Sequence, residues 1–404
     1  MEGARITRRT TAIVLATLAG AATLALAISL LAGGDDDSGT VAPALPTHPV
    51  ASGFKPSATT LADCSDQLCV EQAYGNLAFY SGPKRALAVL EEEVGSTTNT
   101  CHRIAHIIGA ASLARFERNV GRTFAEGSAV CASGYYHGVL ERSLVNVASR
   151  AASVLGGVAR GLCDDPEVTA LAELEYQCLH GLGHGLMITT GYNLPVSLQV
   201  CDHLAGDWES SSCNGGVFME NISTSYGFRS TWLRDDDLVY PCNWVAKEDK
   251  LTCYQLVTSR IIGVLGLEWE RIAEICASVE REWVSSCFES YGRDVAGQTR
   301  RDPADVRELC GVARPYGGED ECIEFAAFDM VANDASGKQA ASLCTGTSGG
   351  LRAGCFGAVG SIMARATPTR AESHSDCASL GAVQADVAAC VRGADAHFDS
   401  AALR

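Results

Sequence analysis

The chain has 404 residues, 47% of them hydrophobic, which is material for two or three ordinary domains or one long repeat array. A formal net charge of −17 lacks the clustered positive field that phosphate backbones require, so no nucleic-acid partner is expected. There is no phosphate loop, dinucleotide fingerprint or haem-attachment motif.

Residues 1–9 form a short tail carrying Arg5, Arg8 and Arg9. The following 10–34 segment contains Thr10–Leu31, an uncharged run rich in Ala, Leu and Ile, and ends in Gly33-Gly34 before Asp35-Asp36-Asp37. About 20 apolar residues span a bilayer as a helix, and basic residues before them hold that end in the cytoplasm. The expectation is an uncleaved transmembrane signal anchor, with the rest of the chain outside the cell membrane. The alternative is a cleaved signal peptide, whose apolar core is usually shorter, roughly 7–15 residues. Residues 35–62 are rich in Pro, Ala, Thr, Ser and Gly and read as a disordered linker. Beyond a membrane, an even total of 18 cysteines reads as a disulfide framework.

Two regions follow, 63–230 and 231–404. Tyr74–Tyr80 and Lys84–Val94 read as a helical pair broken at Ser81-Gly82-Pro83. From Cys163 onward cysteines come in couples: 163 and 178, 201 and 213, 242 and 253, 276 and 287, 310 and 322, 344 and 355, 377 and 390. The second members step by 35, 40, 34, 35, 33 and 35 residues. A period near 34 predicts an all-α solenoid of helix-turn-helix units. In one unit, Pro303–Arg314 is the first helix, Pro315–Gly318 the turn and Glu319–Asn333 the second helix. Each couple is therefore expected to bridge its own hairpin. No hairpin partner precedes Cys101 or Cys131, and their pairing stays open; Cys64–Cys69 and Cys101–Cys131 form the working assignment.

In repeat length and in its one Cys couple per hairpin, the 163–404 region resembles cysteine-stapled helical-repeat proteins of the Sel1-like and tetratricopeptide-like kind. That resemblance implies an architecture and transfers no site residue.

The first region carries the chemistry. Cys131-Ala132-Ser133-Gly134-Tyr135-Tyr136-His137-Gly138 and Cys178-Leu179-His180-Gly181-Leu182-Gly183-His184-Gly185 share one frame, Cys-x-x-Gly-x-x-His-Gly. Cys213 to Glu220 repeats the Cys and Gly but places a carboxylate one position later. His102 and His106 form an earlier pair. Side chains at i and i+4 share a helix face, so His102/His106, His137/Glu141 and His180/His184 are three metal half-sites, with Glu220 in reserve. The later units keep the hairpin frame without these histidines; only His374 and His397 occur there. The competing explanation is that each His pair packs and hydrogen-bonds inside the core. His203 is read as peripheral, and Met187 and Met219 as core.

The expected cofactor is a divalent transition metal: Fe, Mn or Zn, with Cu less favoured. His102, His106, His137, Glu141, His180 and His184 are its expected ligands, and Glu141 and Glu220 are candidates for a catalytic base. Three functions compete. One is a membrane-anchored metalloenzyme, either an oxidoreductase or a hydrolase, with an unidentified small-molecule substrate. The second is a non-catalytic metal or cofactor binder. The third is a scaffold whose solenoid surface takes a protein partner.

Overall fold

The computed structural model describes residues 53–94, 99–225, 229–380 and 383–401. Local chemistry sets its helix ends. Helix α1 (Gln67–Ser81) begins at Asp66, whose carboxylate accepts the Cys69 N–H. It ends at Gly82 with φ 92°, a conformation that glycine adopts without a Cβ penalty. Pro83 then opens α2 (Pro83–Val94), where its missing N–H is harmless. The N-terminal half continues through α3 (Asn99–Arg115), α4 (Val120–Ala125), α5 (Gly134–Leu144), α6 (Ala152–Leu162) and α7 (Pro166–Thr169). It closes with α8 (Ala172–Thr189), α9 (Leu194–Cys201) and α10 (Asp207–Ile222).

The second half contains α11 (Lys247–Tyr254), α12 (Val257–Leu265), α13 (Trp269–Ser278), α14 (Val284–Gln298) and α15 (Pro303–Val312). After these come α16 (Glu319–Asn333), α17 (Lys338–Thr345), α18 (Gly349–Met363), α19 (Arg370–Ser379) and α20 (Gln384–Ala401). No strand occurs among the described residues. Helix α16 has the limits expected from sequence. The helix before it stops at Val312, and Arg314–Tyr316 forms a 3-10 turn before the left-handed Gly317.

Alternate helices form two inner rows. In the first, α1 packs on α3, α3 on α5, α5 on α8 and α8 on α10; in the second, α14 packs on α16, α16 on α18 and α18 on α20. The 40-residue step falls between the rows, where the equivalent helix is broken into α11 and α12. Close approach inside the rows depends on glycine. A Cβ on Gly138 would collide with the carbonyl oxygen of His106, and one on Gly216 with that of His180. The second row has the same contact between Gly292 and Cys322 and between Gly360 and Cys390.

Nine disulfides staple these elements, and no free cysteine occurs among the described residues. Each of the seven couples from Cys163 to Cys390 is bridged as its spacing predicts. Cys64–Cys69 and Cys101–Cys131 also pair. The latter is not a hairpin staple: it ties α3 to the loop entering α5.

Two expectations need correction or placement, and one further sequence pattern is decided by burial. Part of the 35–62 stretch is ordered against α1: Phe54 is buried, and Asn76 bonds to Ser57 and to the Thr59 carbonyl. Side-chain burial and these polar anchors outweigh the loop-like composition. Asn221, in the glycosylation pattern Asn221-Ile222-Ser223, is fully buried and accepts a hydrogen bond from Ser230, so it cannot take a glycan in this fold. The apolar run 10–34 lies outside the described residues, among which no helix is long and apolar enough to cross a membrane.

Candidate metal centre

Three neighbouring helices of the first row bring five histidines together. His102 and His106 come from α3, His137 from α5, and His180 and His184 from α8. Ligand atoms of His102, His106 and His137 lie within 4.8 Å of one another, and so do those of His137, His180 and His184. His137 belongs to both groups. His106, His137, His180 and His184 are buried at 0–5% exposure, and His102 is half-buried. Buried His clusters of this kind can hold a metal ion.

Hydrogen bonds fix the orientation of the rings. His102 Nδ1 stands 2.8 Å from the carbonyl oxygen of Cys131, which can only accept, so Nδ1 carries the proton. His106 Nδ1 donates to Glu141 Oε2 at 3.3 Å. A neutral imidazole has one N–H, so the Nε2 atoms of both rings are left with lone pairs. Those atoms face each other at 3.2 Å. Two lone pairs at that distance repel unless a cation lies between or beside them.

A proton is poorly suited to the role. Burial, and then the neighbouring His106, pushes His102 down to about 4, and burial with nearby imidazoles holds His137 well below the ordinary histidine range. A metal suits it well. Two metal–nitrogen bonds of about 2.0–2.1 Å at a tetrahedral angle put their nitrogens about 3.3–3.4 Å apart.

The second pair repeats the arrangement. His184 Nε2 lies 3.3 Å from His180 Nε2, and His184 Nδ1 donates to Glu220 Oε2 at 2.8 Å. Glu220, from α10, also receives Tyr192 Oη at 2.5 Å, Ser225 N at 2.8 Å and Ser225 Oγ at 2.6 Å. Burial pushes its carboxyl upward, while the Ser225 and Tyr192 donors oppose that push. Four polar contacts converge on its two oxygens. A cation on the far side of His184 would offset the buried negative charge of its ionised form.

Both glutamates thus reach the rings from behind, at Nδ1, and the two candidate metal groups consist of histidine alone. Carboxylate–histidine contacts of this type hold the tautomer and raise ligand basicity. In this geometry Glu141 and Glu220 each meet a ring Nδ1, of His106 and His184, and neither belongs to a candidate metal group. Helical spacing puts Glu141 on the face of His137, yet packing turns it toward His106 on the neighbouring helix.

Other residues fall as follows. His203 bonds the Gln199 carbonyl of its own turn, and His374 pairs with Asp395, both outside the cluster. Met187 is buried and Met219 partly buried. Tyr176 was not singled out by the sequence, although it lies four residues before His180. Its ring stacks on His180 at 5.4 Å, and its hydroxyl stands 3.5 Å from His180 Nδ1. Arg365, from the far end of the chain, lies over the Tyr176 ring at 5.8 Å. No local signal connects residues so distant in sequence. No protein-family model, curated protein or solved structure matches the chain.

Proposed function

We propose that this chain is a membrane-tethered, disulfide-stapled helical solenoid that holds a divalent transition metal outside the cytoplasm. The observation that carries the reading is the facing of His102 Nε2 and His106 Nε2 at 3.2 Å, both with Nδ1 committed as a donor. Imidazole ligands suit Zn, Fe, Cu and Ni and disfavour Mg and Ca, which take oxygen ligands. An all-nitrogen donor set removes the reason for placing Cu below Fe, Mn and Zn, and it weakens the case for Mn.

Burial bears on the choice between enzyme classes. A hydrolase must bring a scissile bond to a metal-bound water, whereas the four most enclosed histidines are only 0–5% exposed. The arrangement favours an oxidoreductase acting on a small molecule, or exchanging electrons, over a hydrolase of bulky substrates.

The test is elemental analysis of full-length protein purified from the membrane fraction, alongside His180→Ala, His184→Ala and His203→Ala. Metal should be present in the wild type, lowered in the first two variants and retained in full in the third. Metal-free wild type under both oxidising and reducing conditions, and after supply of Zn, Fe and Cu, would sink the reading. A mature N-terminus between about residues 28 and 45 would replace the membrane tether by a cleaved signal.

A further inference from the structure

We infer that the centre is binuclear: one ion between His102, His106 and His137, a second between His137, His180 and His184, with the His137 ring bridging them. This rests on the metal reading above and adds the number of ions and the identity of the bridge.

His137 is the residue that both groups share. Its ring is 1% exposed, and neither Nδ1 nor Nε2 has a hydrogen-bond partner. A buried polar atom without a partner costs roughly 1–3 kcal/mol, and this ring has two such atoms. One metal would satisfy one nitrogen and leave the other orphaned. Two ions satisfy both.

The surroundings are duplicated about this ring. On one side stand His102 and His106, with Glu141 behind His106; on the other stand His180 and His184, with Glu220 behind His184. The Nε2 separations, 3.2 and 3.3 Å, are nearly the same. A single ion would need only one such pair.

His137 meets His102 and His106 edge-on, with ring centroids 5.2 and 5.4 Å apart and interplanar angles of 67° and 74°. Against His184 it lies flat, at 4.0 Å and 16°. The first position is therefore nearer to coordination geometry, and the second is reached when the His137 ring turns on its side-chain bonds. No hydrogen bond restrains that turn.

Filling both positions forms one metal bond at each nitrogen of His137 and releases the ring's single N–H proton to water. The two divalent ions then meet the ring anion and the carboxylates of Glu141 and Glu220, which offset most of their charge. The ions would stand roughly 6 Å apart, about one ring plus two metal–nitrogen bonds.

The experiment titrates metal-stripped full-length protein with Cu(II), following bound copper and the electron paramagnetic resonance signal per copper. We expect two equivalents per chain, with the signal falling as the second enters because the two spins couple through the shared ring. His106→Ala and His184→Ala should each bind one equivalent with a full, uncoupled signal. One equivalent in the wild type overturns the binuclear inference and leaves the metal-binding function standing. Two equivalents with a full signal overturn the His137 bridge. No bound copper, zinc or iron would overturn this inference and the metal-binding function together.

Discussion

The bare Cα of Gly138 lies against the carbonyl oxygen of His106, so that α5 meets α3 backbone to backbone, one residue after His137. This contact sets the distance between His137 and the α3 pair. Gly138→Ala should push the helices apart, cost about 1–3 kcal/mol by overpacking, and weaken metal binding at least tenfold. A Cβ on Gly157, in α6, would meet nothing within 4 Å. Gly157→Ala should raise stability by up to about 1 kcal/mol and leave metal content unchanged. Thermal unfolding and metal titration of the two variants make the comparison. Equal metal affinity in both would show that close helix approach does not position the ligands.

Glu220→Gln keeps the shape of the side chain and removes its charge. With His184 less firmly oriented and less basic, metal affinity should drop roughly 10–100-fold, the usual effect of losing such an outer partner. Affinity is measured by competition with a chelator, while circular dichroism reports the fold. An unchanged affinity would mean that Glu220 serves Tyr192 and Ser225 alone.

Asp249 supplies a pH dependence of its own. It is buried in the first turn of α11, accepts Asn214 Nδ2 at 2.8 Å, and is pushed up to about 6 by burial, with Asp202 and Glu248 adding to the shift. The folded state therefore holds this proton more tightly than the unfolded chain, whose aspartate titrates near 3.8. Its contribution is fully present below about pH 4 and is lost as pH rises through about 6. Stability of Asp249→Asn relative to wild type should thus increase over that window, by up to about 3 kcal/mol before solvent screening reduces it, and then level off. Denaturant unfolding at several pH values tests this. A constant difference across the window would contradict it.

The hairpin bridges should act locally. Replacing Cys310 and Cys322 together by Ala removes a bridge with a sequence separation of 12. The expected cost is about 3 kcal/mol in the chain-entropy picture. Metal content should persist, because neither cysteine belongs to the helices that carry the five histidines. Non-reducing peptide mapping should recover every couple from Cys163 to Cys390 within its own unit. A peptide joining two units would contradict the observed pairing.

Much of this protein was legible in sequence because its signals are local. The couples from Cys163 onward recur at helical-repeat spacing, and a loop of about a dozen residues leaves each cysteine one near partner. All-helical structure and seven bridges follow from that. Histidines four apart share a helix face by backbone geometry alone, so His102/His106 and His180/His184 could be paired before any fold was known. Glycines stand beside them in the sequence, but only the fold shows that the partner at Gly138 is the His106 carbonyl.

What tertiary structure decided depends on which helices touch. Sequence spacing put His137 with Glu141; packing instead turns Glu141 to His106 and Glu220 to His184, each against a ring Nδ1. It leaves His137 between two His pairs with both ring nitrogens unpartnered, a relation no helical period contains. It also brings Arg365 over Tyr176 beside the centre, across nearly half the chain. Periodicity determines what one helix presents on each face. Only the stacking of helices, set by glycine contacts and side-chain packing, determines what that face meets.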